Sequence, residues 1–247
     1  MKTRGLVAVL LLLTGFQSAL AQKLKLYLSD KQVVEYCVEK VDSLVFDALD
    51  VYEFVDLGLP SGTLWATCNV GANSPEEYGD YFAWGETEPK TDYSWSTYKY
   101  CEGSDDSMTK YCTESFFGTV DNKTELEPSD DAATVNWGSN WQMPSLGQVE
   151  ELTCGNYTNI IWTTLNGVYG KKITSMSNGN SIFLPAAGYR FDTALENTDI
   201  GGEYLSRSVN TSYSSCSHSI WFDSIKTIRG SFPRYYGRSV RPVRVKN

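Results

Sequence analysis

The first alternating segment of the chain is "KLKLYLSDKQVVEYCV", in which apolar side chains occupy every second position. Leu24, Leu26 and Leu28 alternate with other side chains, and the alternation resumes at Val34 after the polar turn "SDK". A period of two is typical of half-buried β-strands. The pattern predicts a β-hairpin. With "VDSLVF" after it, we expect residues 22–50 to form a small β appendage that ends at the acidic "DALDVYE".

A second alternating region contains three strand-like segments, "IIWTTL", "VYGKKITSM" and "SIFLPAAGY". Asn166-Gly167 separates the first two, and "SNGN" at 177–180 separates the last two. Asn-Gly tolerates the positive φ angles of tight hairpin turns. The region therefore predicts an antiparallel β meander.

Two short segments have the signals of helices. In "PSDDAATVNWG", Ser129 is a candidate N-cap and Gly138 a candidate stop. In "PSLGQVEELTCG", Ser145 and Gln148 have the spacing of a capping box, and Gly155 can end the helix. The apolar stripe of this second helix is Leu146, Val149 and Leu152.

Residues 190–236 lack a regular pattern and are rich in Tyr, Ser, Asn, Asp and Arg. This composition predicts long loops with a few short strands around "HSIWFDS". Taken with the meander and the two short helices, the chain is predicted to be of the α+β class.

The N-terminus has the features of a signal peptide at residues 1–21. A basic start, "MKTRG", precedes the apolar run "LVAVLLLLTGF" and the small-residue site "ALA". The run is too short to span a bilayer, and no later segment is long and apolar enough. We therefore expect export to the periplasm, the outer surface or the medium, without a transmembrane segment.

The charge of the chain restricts its partners. The formal net charge is −9, and loss of Lys2 and Arg4 with the signal peptide would make it −11. Such a chain repels phosphate backbones, which argues against nucleic acid as a partner.

The cysteines never form C-x-x-C, so the spacing of a zinc ribbon or a thioredoxin-type site is missing. Export permits disulfides, and a bridge between Cys101 and Cys112 across "EGSDDSMTKY" is one hypothesis. Buried reduced thiols are the alternative. The six cysteines are Cys37, Cys68, Cys101, Cys112, Cys154 and Cys216.

Several stretches between residues 53 and 244 carry a family pattern. The chain resembles the major paralogous domain first described in Fibrobacter succinogenes and abundant in secreted proteins of Bacteroidetes. The stretches are "VDLGLPSGTLWATCNVGANSPEEYGDYFAWGETEPK", "KYCTESFFGTVDNKTELEPSDDAA", "NWQMPSLGQVEEL", "NGNSIFLPAAGYR" and "GRSVRPVR". "DSLVF" at 42–46 also resembles a motif of the β segment that family members tend to carry.

The resemblance implies a C-type-lectin-like domain over residues 53–247. In such folds the first and last strands lie together, so "GTLWAT" and "SVRPVRV" are expected to be neighbours. Arg241 and Arg244 are then expected on a solvated strand face. The chain departs from its relatives at "YLSRS", residues 204–208, where they often read "YWSSS". A ligand that this segment contacts would differ from theirs.

The sequence offers no catalytic constellation. His218 is the only histidine, G-x-S-x-G is absent, and the glycine patterns of nucleotide sites are missing. "EPK" and "NWG" do not supply the oxygen ligands of calcium-bridged sugar binding. We therefore expect neither an enzyme nor a cofactor or metal.

Tyr and Arg side chains dominate the 190–236 region, as in adaptable binding surfaces. They predict a binding module that presents this region to a glycan or protein ligand, as an adhesin does. The alternatives are a structural component docked through its N-terminal β segment and a display protein with diversified loops. The candidate ligand-binding residues are Arg190, Tyr204, Arg207, Asn210, Tyr213, Trp221, Arg229, Tyr235 and Tyr236.

Overall fold

The computed structural model describes the backbone of residues 23–27, 33–37 and 52–245, and the side chains of residues 52–244. The predicted signal peptide, "DSLVF" and Lys246 lie outside the described residues. Contacts divide the chain after Val51, and the two parts are described separately. In the first part, strands β1 (Lys23–Tyr27) and β2 (Val33–Cys37) pair antiparallel. The predicted hairpin is confirmed.

The unit Tyr52–Asn247 consists mainly of β-sheet with two short α-helices, which agrees with the α+β class. None of the helices in its described residues is long and apolar enough to cross a membrane. The elements are β3 (Phe54–Asp56), β4 (Thr63–Ala66), α1 (Ala132–Trp137), α2 (Leu146–Leu152), β5 (Thr158–Leu165), β6 (Val168–Ser175), β7 (Ser181–Pro185), β8 (Tyr189–Phe191), β9 (Ala194–Glu196), β10 (Gly201–Val209), β11 (Cys216–Asp223), β12 (Thr227–Pro233) and β13 (Val243–Val245).

The strands form three sheets of three strands each and one separate hairpin. The orders are β13-β4-β3, β5-β6-β7 and β10-β11-β12, and the hairpin is β8-β9. In the first sheet Val243 of β13 lies opposite Trp65 of β4. The expected adjacency of "GTLWAT" and "SVRPVRV" is therefore confirmed.

The predicted meander is confirmed as the sheet β5-β6-β7, in which every pair is antiparallel. Asn166 and Gly167 connect β5 to β6 with φ angles of 50° and 88°. Both angles are positive, as tight hairpin turns require. The turn residues thus perform the role that their sequence predicts.

Both predicted helices form, and each differs from the prediction at one end. In α2, Ser145 and Gln148 make the predicted capping box, but the helix ends at Leu152 with Thr153 as its C-cap, before Gly155. In α1 the N-cap is Asp131 instead of Ser129, because residues 128–130 form a separate 3₁₀ turn. The Asp131 carboxylate accepts hydrogen bonds from the backbone N–H of Thr134 and Met143.

The prediction of long loops at 190–236 was wrong, because β8 to β12 occupy most of this region. The strand β10 is hidden in the sequence because nearly all its residues are buried, including the polar Glu203, Ser206 and Ser208. Burial of both faces removes the alternation that marks a half-buried strand. The long irregular segment lies instead at 67–131, which contains only short 3₁₀ turns and isolated bridges.

The side chains of two apolar clusters fill the unit. One cluster joins the irregular segment and α1 to the inner residues Leu205, Val209 and Val240. The other packs α2 against strands of all three sheets, through residues such as Trp65 and Phe222. The sheets are therefore held together by side-chain packing, which removes apolar area from water.

The placement of Arg241 on a solvated strand face was wrong. Its side chain is 1 % exposed, and its guanidinium donates to Asn69 Oδ1 and to the carbonyl oxygens of Ala66, Thr67 and Phe183. These acceptors compensate for the loss of water around the charge. Arg244 is half-buried, with its guanidinium 5.1 Å from the ring centroid of Phe54.

The suggested bridge between Cys101 and Cys112 does not form, since both are free thiols. Each thiol donates to a different backbone carbonyl, Cys101 to Trp95 at 3.2 Å and Cys112 to Glu114 at 3.1 Å. The remaining free cysteines with described side chains are Cys68, Cys154 and Cys216.

Candidate functional site

Two of the candidate residues, Tyr235 and Tyr236, meet at one surface of the unit, and the backbone of a third, Arg190, pairs with the adjoining Gly237. Arg190 follows Tyr189 in β8, and Tyr235 and Tyr236 follow the end of β12. The rings of Tyr189 and Phe191 in β8 and of Trp95 in a 3₁₀ turn join them. We call the set the aromatic patch and define it as Trp95, Tyr189, Phe191, Tyr235 and Tyr236.

The rings of the aromatic patch pack against one another at several angles. Tyr189 and Tyr236 are stacked, with centroids 5.5 Å apart and planes 4° apart. The Tyr235 ring lies edge-on to Tyr236 with centroids 4.7 Å apart, and the Trp95 ring centroid lies 4.5 Å from that of Tyr235. Phe191 contacts both tyrosines and is 37 % exposed. The patch is a continuous aromatic surface in which Phe191 is exposed and the other four rings are half-buried.

Backbone pairing between distant segments positions the patch. The N–H of Arg190 donates to the carbonyl of Gly237 at 2.7 Å, and the N–H of Gly237 donates back at 3.0 Å. A glycine is needed at position 237, because a Cβ there would lie 2.5 Å from the Tyr93 ring. The pair fixes Tyr189 and Phe191, which share one side of β8, beside Tyr236.

A buried ion pair packs against the Tyr236 ring of the aromatic patch. The Arg238 side chain is 0 % exposed, its Nε contacts the Glu203 carboxylate at 2.5 Å, and its Nη1 donates to the Pro233 carbonyl. Its guanidinium lies 5.1 Å from the ring centroid of Tyr236. This cation–π contact holds the ring in place.

Hydrogen-bonding groups accompany the rings. Burial, followed by the neighbouring Tyr236 hydroxyl, raises the pKa of Tyr235 above its usual value. Burial, followed by the Glu203 carboxylate, raises the pKa of Tyr189. Both hydroxyls therefore remain protonated at neutral pH and can donate. Arg190 packs 5.2 Å from the Tyr81 ring centroid, and Asp192 is exposed beside Phe191.

Tyr204 does not belong to a surface site, which corrects its assignment as a ligand-binding residue. It is 2 % exposed, donates its hydroxyl hydrogen to the Pro185 carbonyl and stacks on Phe222. Arg207 and Asn210 are half-buried and have internal partners. Arg207 pairs with Glu125. The Asn210 side chain donates from Nδ2 to Ser231 Oγ, and its Oδ1 accepts from the backbone N–H of Ser212.

The other candidates lie at the surface with partners outside the patch. Tyr213 is 61 % exposed and contacts the Phe117 ring. Trp221 lies under the Lys226 ammonium at 4.9 Å, and Arg229 lies 3.8 Å from Glu150. None of these contacts involves a ring of the aromatic patch.

Sequence reasoning missed Trp95, Tyr189 and Phe191. Trp95 lies in a 3₁₀ turn of the irregular segment, in the aromatic-rich "DYSWSTYKY". Tyr189 and Phe191 are two residues apart in "GYRFD", directly after the predicted meander. That spacing places both rings on one side of a strand and was a usable signal.

No group of three or more His, Cys, Asp or Glu side chains among the described residues could hold a metal ion. Burial lowers the pKa of His218, and Glu150 opposes this shift. Comparison of the chain with protein-family models, curated proteins and solved structures finds no match.

Proposed function

We propose that this chain is an exported, non-enzymatic glycan-binding protein that holds its ligand on the aromatic patch. The observation that carries the proposal is the continuous aromatic surface made by Trp95, Tyr189, Phe191, Tyr235 and Tyr236. The C–H bonds on one face of a pyranose ring carry small positive charges. They pack favourably on the negative face of an aromatic ring.

Rigidity of the patch supports this function. Arg190 and Gly237 exchange backbone hydrogen bonds, and Arg238 packs beneath Tyr236. A preformed surface does not lose side-chain entropy when a ligand binds, and such losses otherwise reduce affinity. The phenol hydroxyls and the exposed Asp192 offer hydrogen bonds to sugar hydroxyls.

The family resemblance is part of the same proposal. The β4–β13 pairing brings the two ends of the unit together, as C-type-lectin-like domains do. This agreement supports membership of the major paralogous family, and the signal-peptide pattern supports export. In this proposal the sugar is held without calcium.

The test measures binding of purified protein to a panel of polysaccharides and mucin glycans, by isothermal titration calorimetry, with and without a calcium chelator. We expect chelator-independent binding to one glycan class. Tyr236→Ala should weaken it about thirtyfold, because a central aromatic contact contributes about 2 kcal/mol. Tyr236→Phe should retain most of the affinity if ring stacking provides it.

Tyr213→Ala is the matched control, since Tyr213 is an exposed tyrosine outside the patch. It should leave glycan affinity unchanged, and Tyr213→Ala and Tyr236→Phe should keep the melting temperature of the parent within a few degrees. An equal loss in Tyr213→Ala would place the binding surface elsewhere. Absence of glycan binding, together with Tyr236-dependent binding to a matrix protein, would replace the sugar with a protein ligand.

A further inference from the structure

A cleft lies on the meander, away from the residues of the aromatic patch. Its volume is about 610 Å³, within the range of small-molecule sites. Thr158 and Ile160 of β5 and Lys171 of β6 line it, together with Met176, Ile225 and Thr227. The cleft is therefore formed where the meander meets the turn between β11 and β12.

Lys171 is an unusual residue for the wall of such a cleft. Its side chain is only 4 % exposed, and it lies in β6 opposite Trp162 of β5 and Leu184 of β7. Its Nζ is 5.8 Å from the Trp162 ring centroid. The next residue, Lys172, is exposed on the opposite face of the same strand.

The Lys171 ammonium has no hydrogen-bond or ion-pair partner within the described part of the protein. None of the hydrogen bonds or ion pairs among residues 52–244 involves its Nζ, although an ammonium has three N–H donors. In an acidic chain that has many carboxylates, this arrangement leaves the donors available to a ligand.

The Asp223 carboxylate does not offset the effect of burial on Lys171. Asp223 acts on it electrostatically, but burial has the larger effect, and the pKa of Lys171 is lowered overall. One Asp223 oxygen accepts hydrogen bonds from the backbone N–H groups of Ile225 and Lys226, both at 2.8 Å. Asp223 is thus already committed to the turn beside the cleft.

We propose that this cleft binds a small organic acid, whose carboxylate or sulfonate accepts hydrogen bonds from Lys171 and whose apolar body packs on the rim. The rim supplies that apolar contact through Ile160, Met176 and Ile225. Met176 and Ile225 are 64 % and 89 % exposed, so an apolar ligand would cover side chains that now face water. The site shares no residue with the aromatic patch and does not depend on glycan binding.

The experiment titrates the full chain with 2-naphthoate and with its neutral analogue 2-naphthamide, by calorimetry at pH 7. We expect naphthoate to bind at least about tenfold more tightly, because a charge-assisted hydrogen bond is worth about 1.5–3 kcal/mol. The matched 2-naphthalenesulfonate shows whether the site prefers a carboxylate or a sulfonate.

Lys171→Met retains the length of the side chain and removes its charge, and Lys172→Met is the control on the opposite face. We expect Lys171→Met to remove the preference for naphthoate over naphthamide and Lys172→Met to keep it. The melting temperature of Lys171→Met should stay within a few degrees of that of the parent, since the change removes no hydrogen bond or ion pair among residues 52–244. Equal binding of the two probes by the parent, no binding of naphthoate up to 10 mM, or an unchanged preference in Lys171→Met would overturn the proposal.

Discussion

Asp130 shows how single side chains stabilise the irregular segment. The residue is 4 % exposed, and its carboxylate accepts hydrogen bonds from Lys110 Nζ at 2.6 Å and the Tyr111 hydroxyl at 2.7 Å. Burial alone would raise the pKa of Asp130. The hydrogen bonds from Lys110, Tyr100 and Tyr111 outweigh burial and lower it from 3.8 to about 2. The carboxylate form therefore stabilises the folded state.

We predict an acid-dependent loss of stability that originates at Asp130. Because the folded-state pKa is the lower one, the stabilisation is complete above pH 3.8 and is lost as the pH falls from 3.8 to about 2. The loss should be about 2 kcal/mol. Urea unfolding of Asp130→Asn at pH 6 and pH 2 should show a smaller difference than in the parent. Asp105→Asn, at an exposed position, should keep the parent's difference. An equal difference in the free energy of unfolding between pH 6 and pH 2 in all three proteins would contradict the assignment.

At the same scale, the burial of individual arginine side chains could not be predicted from the sequence. Arg234 and Arg229 are close in the chain, yet Arg234 is 0 % exposed and Arg229 is exposed. The Arg234 guanidinium donates to the carbonyl oxygens of Lys110 and Ser214 and lies 4.6 Å from the Trp84 ring centroid. These partners are backbone groups of distant segments. Residue type does not identify backbone partners, so the burial of such arginines is determined only by the fold.

At the scale of elements, the turn between β5 and β6 is a test of backbone conformation alone. Gly167 has a φ of 88° and no heavy atom within 4 Å of where its Cβ would be. Gly155 has equally open surroundings but no positive φ. Gly167→Ala should lower the free energy of unfolding by about 1 kcal/mol, because L-residues are disfavoured there. Urea unfolding measures this loss.

Gly155→Ala is the matched control and should change the free energy of unfolding by less than about 0.5 kcal/mol. A similar loss in both variants would show that packing, and not the φ angle, determines the effect. The meander could be predicted because its alternation and its Asn-Gly turn are local signals. Strand β10 could not, since Glu203 and Ser206 are buried there with partners from other elements.

At the scale of the whole molecule, the candidate site is a product of the tertiary fold. Its rings come from residue 95, residues 189–191 and residues 235–236, and the Arg190–Gly237 pair joins two of these segments. The sequence indicated Tyr235, Tyr236 and Arg190 through composition. It could not show which rings meet, because the loops predicted at 190–236 are strands that position them. The Lys171 cleft was likewise hidden, since alternation alone does not show that a lysine is covered.

The pairing of β4 with β13 predicts that shortening the chain at its C-terminus destabilises the unit far more than removing the residues before Tyr52. Val243 is 0 % exposed, lies opposite Trp65 and exchanges backbone hydrogen bonds with Gln142 at 2.8 and 2.9 Å. A chain that ends at Pro242 loses these contacts and leaves an inner strand with an open edge. It should show no cooperative thermal transition by circular dichroism. A chain that begins at Tyr52 keeps the compact unit and should melt within a few degrees of the full chain. Cooperative melting of the chain ending at Pro242 would mean that β13 is not needed to close the unit, and failure of the chain beginning at Tyr52 would mean that the unit does not fold alone.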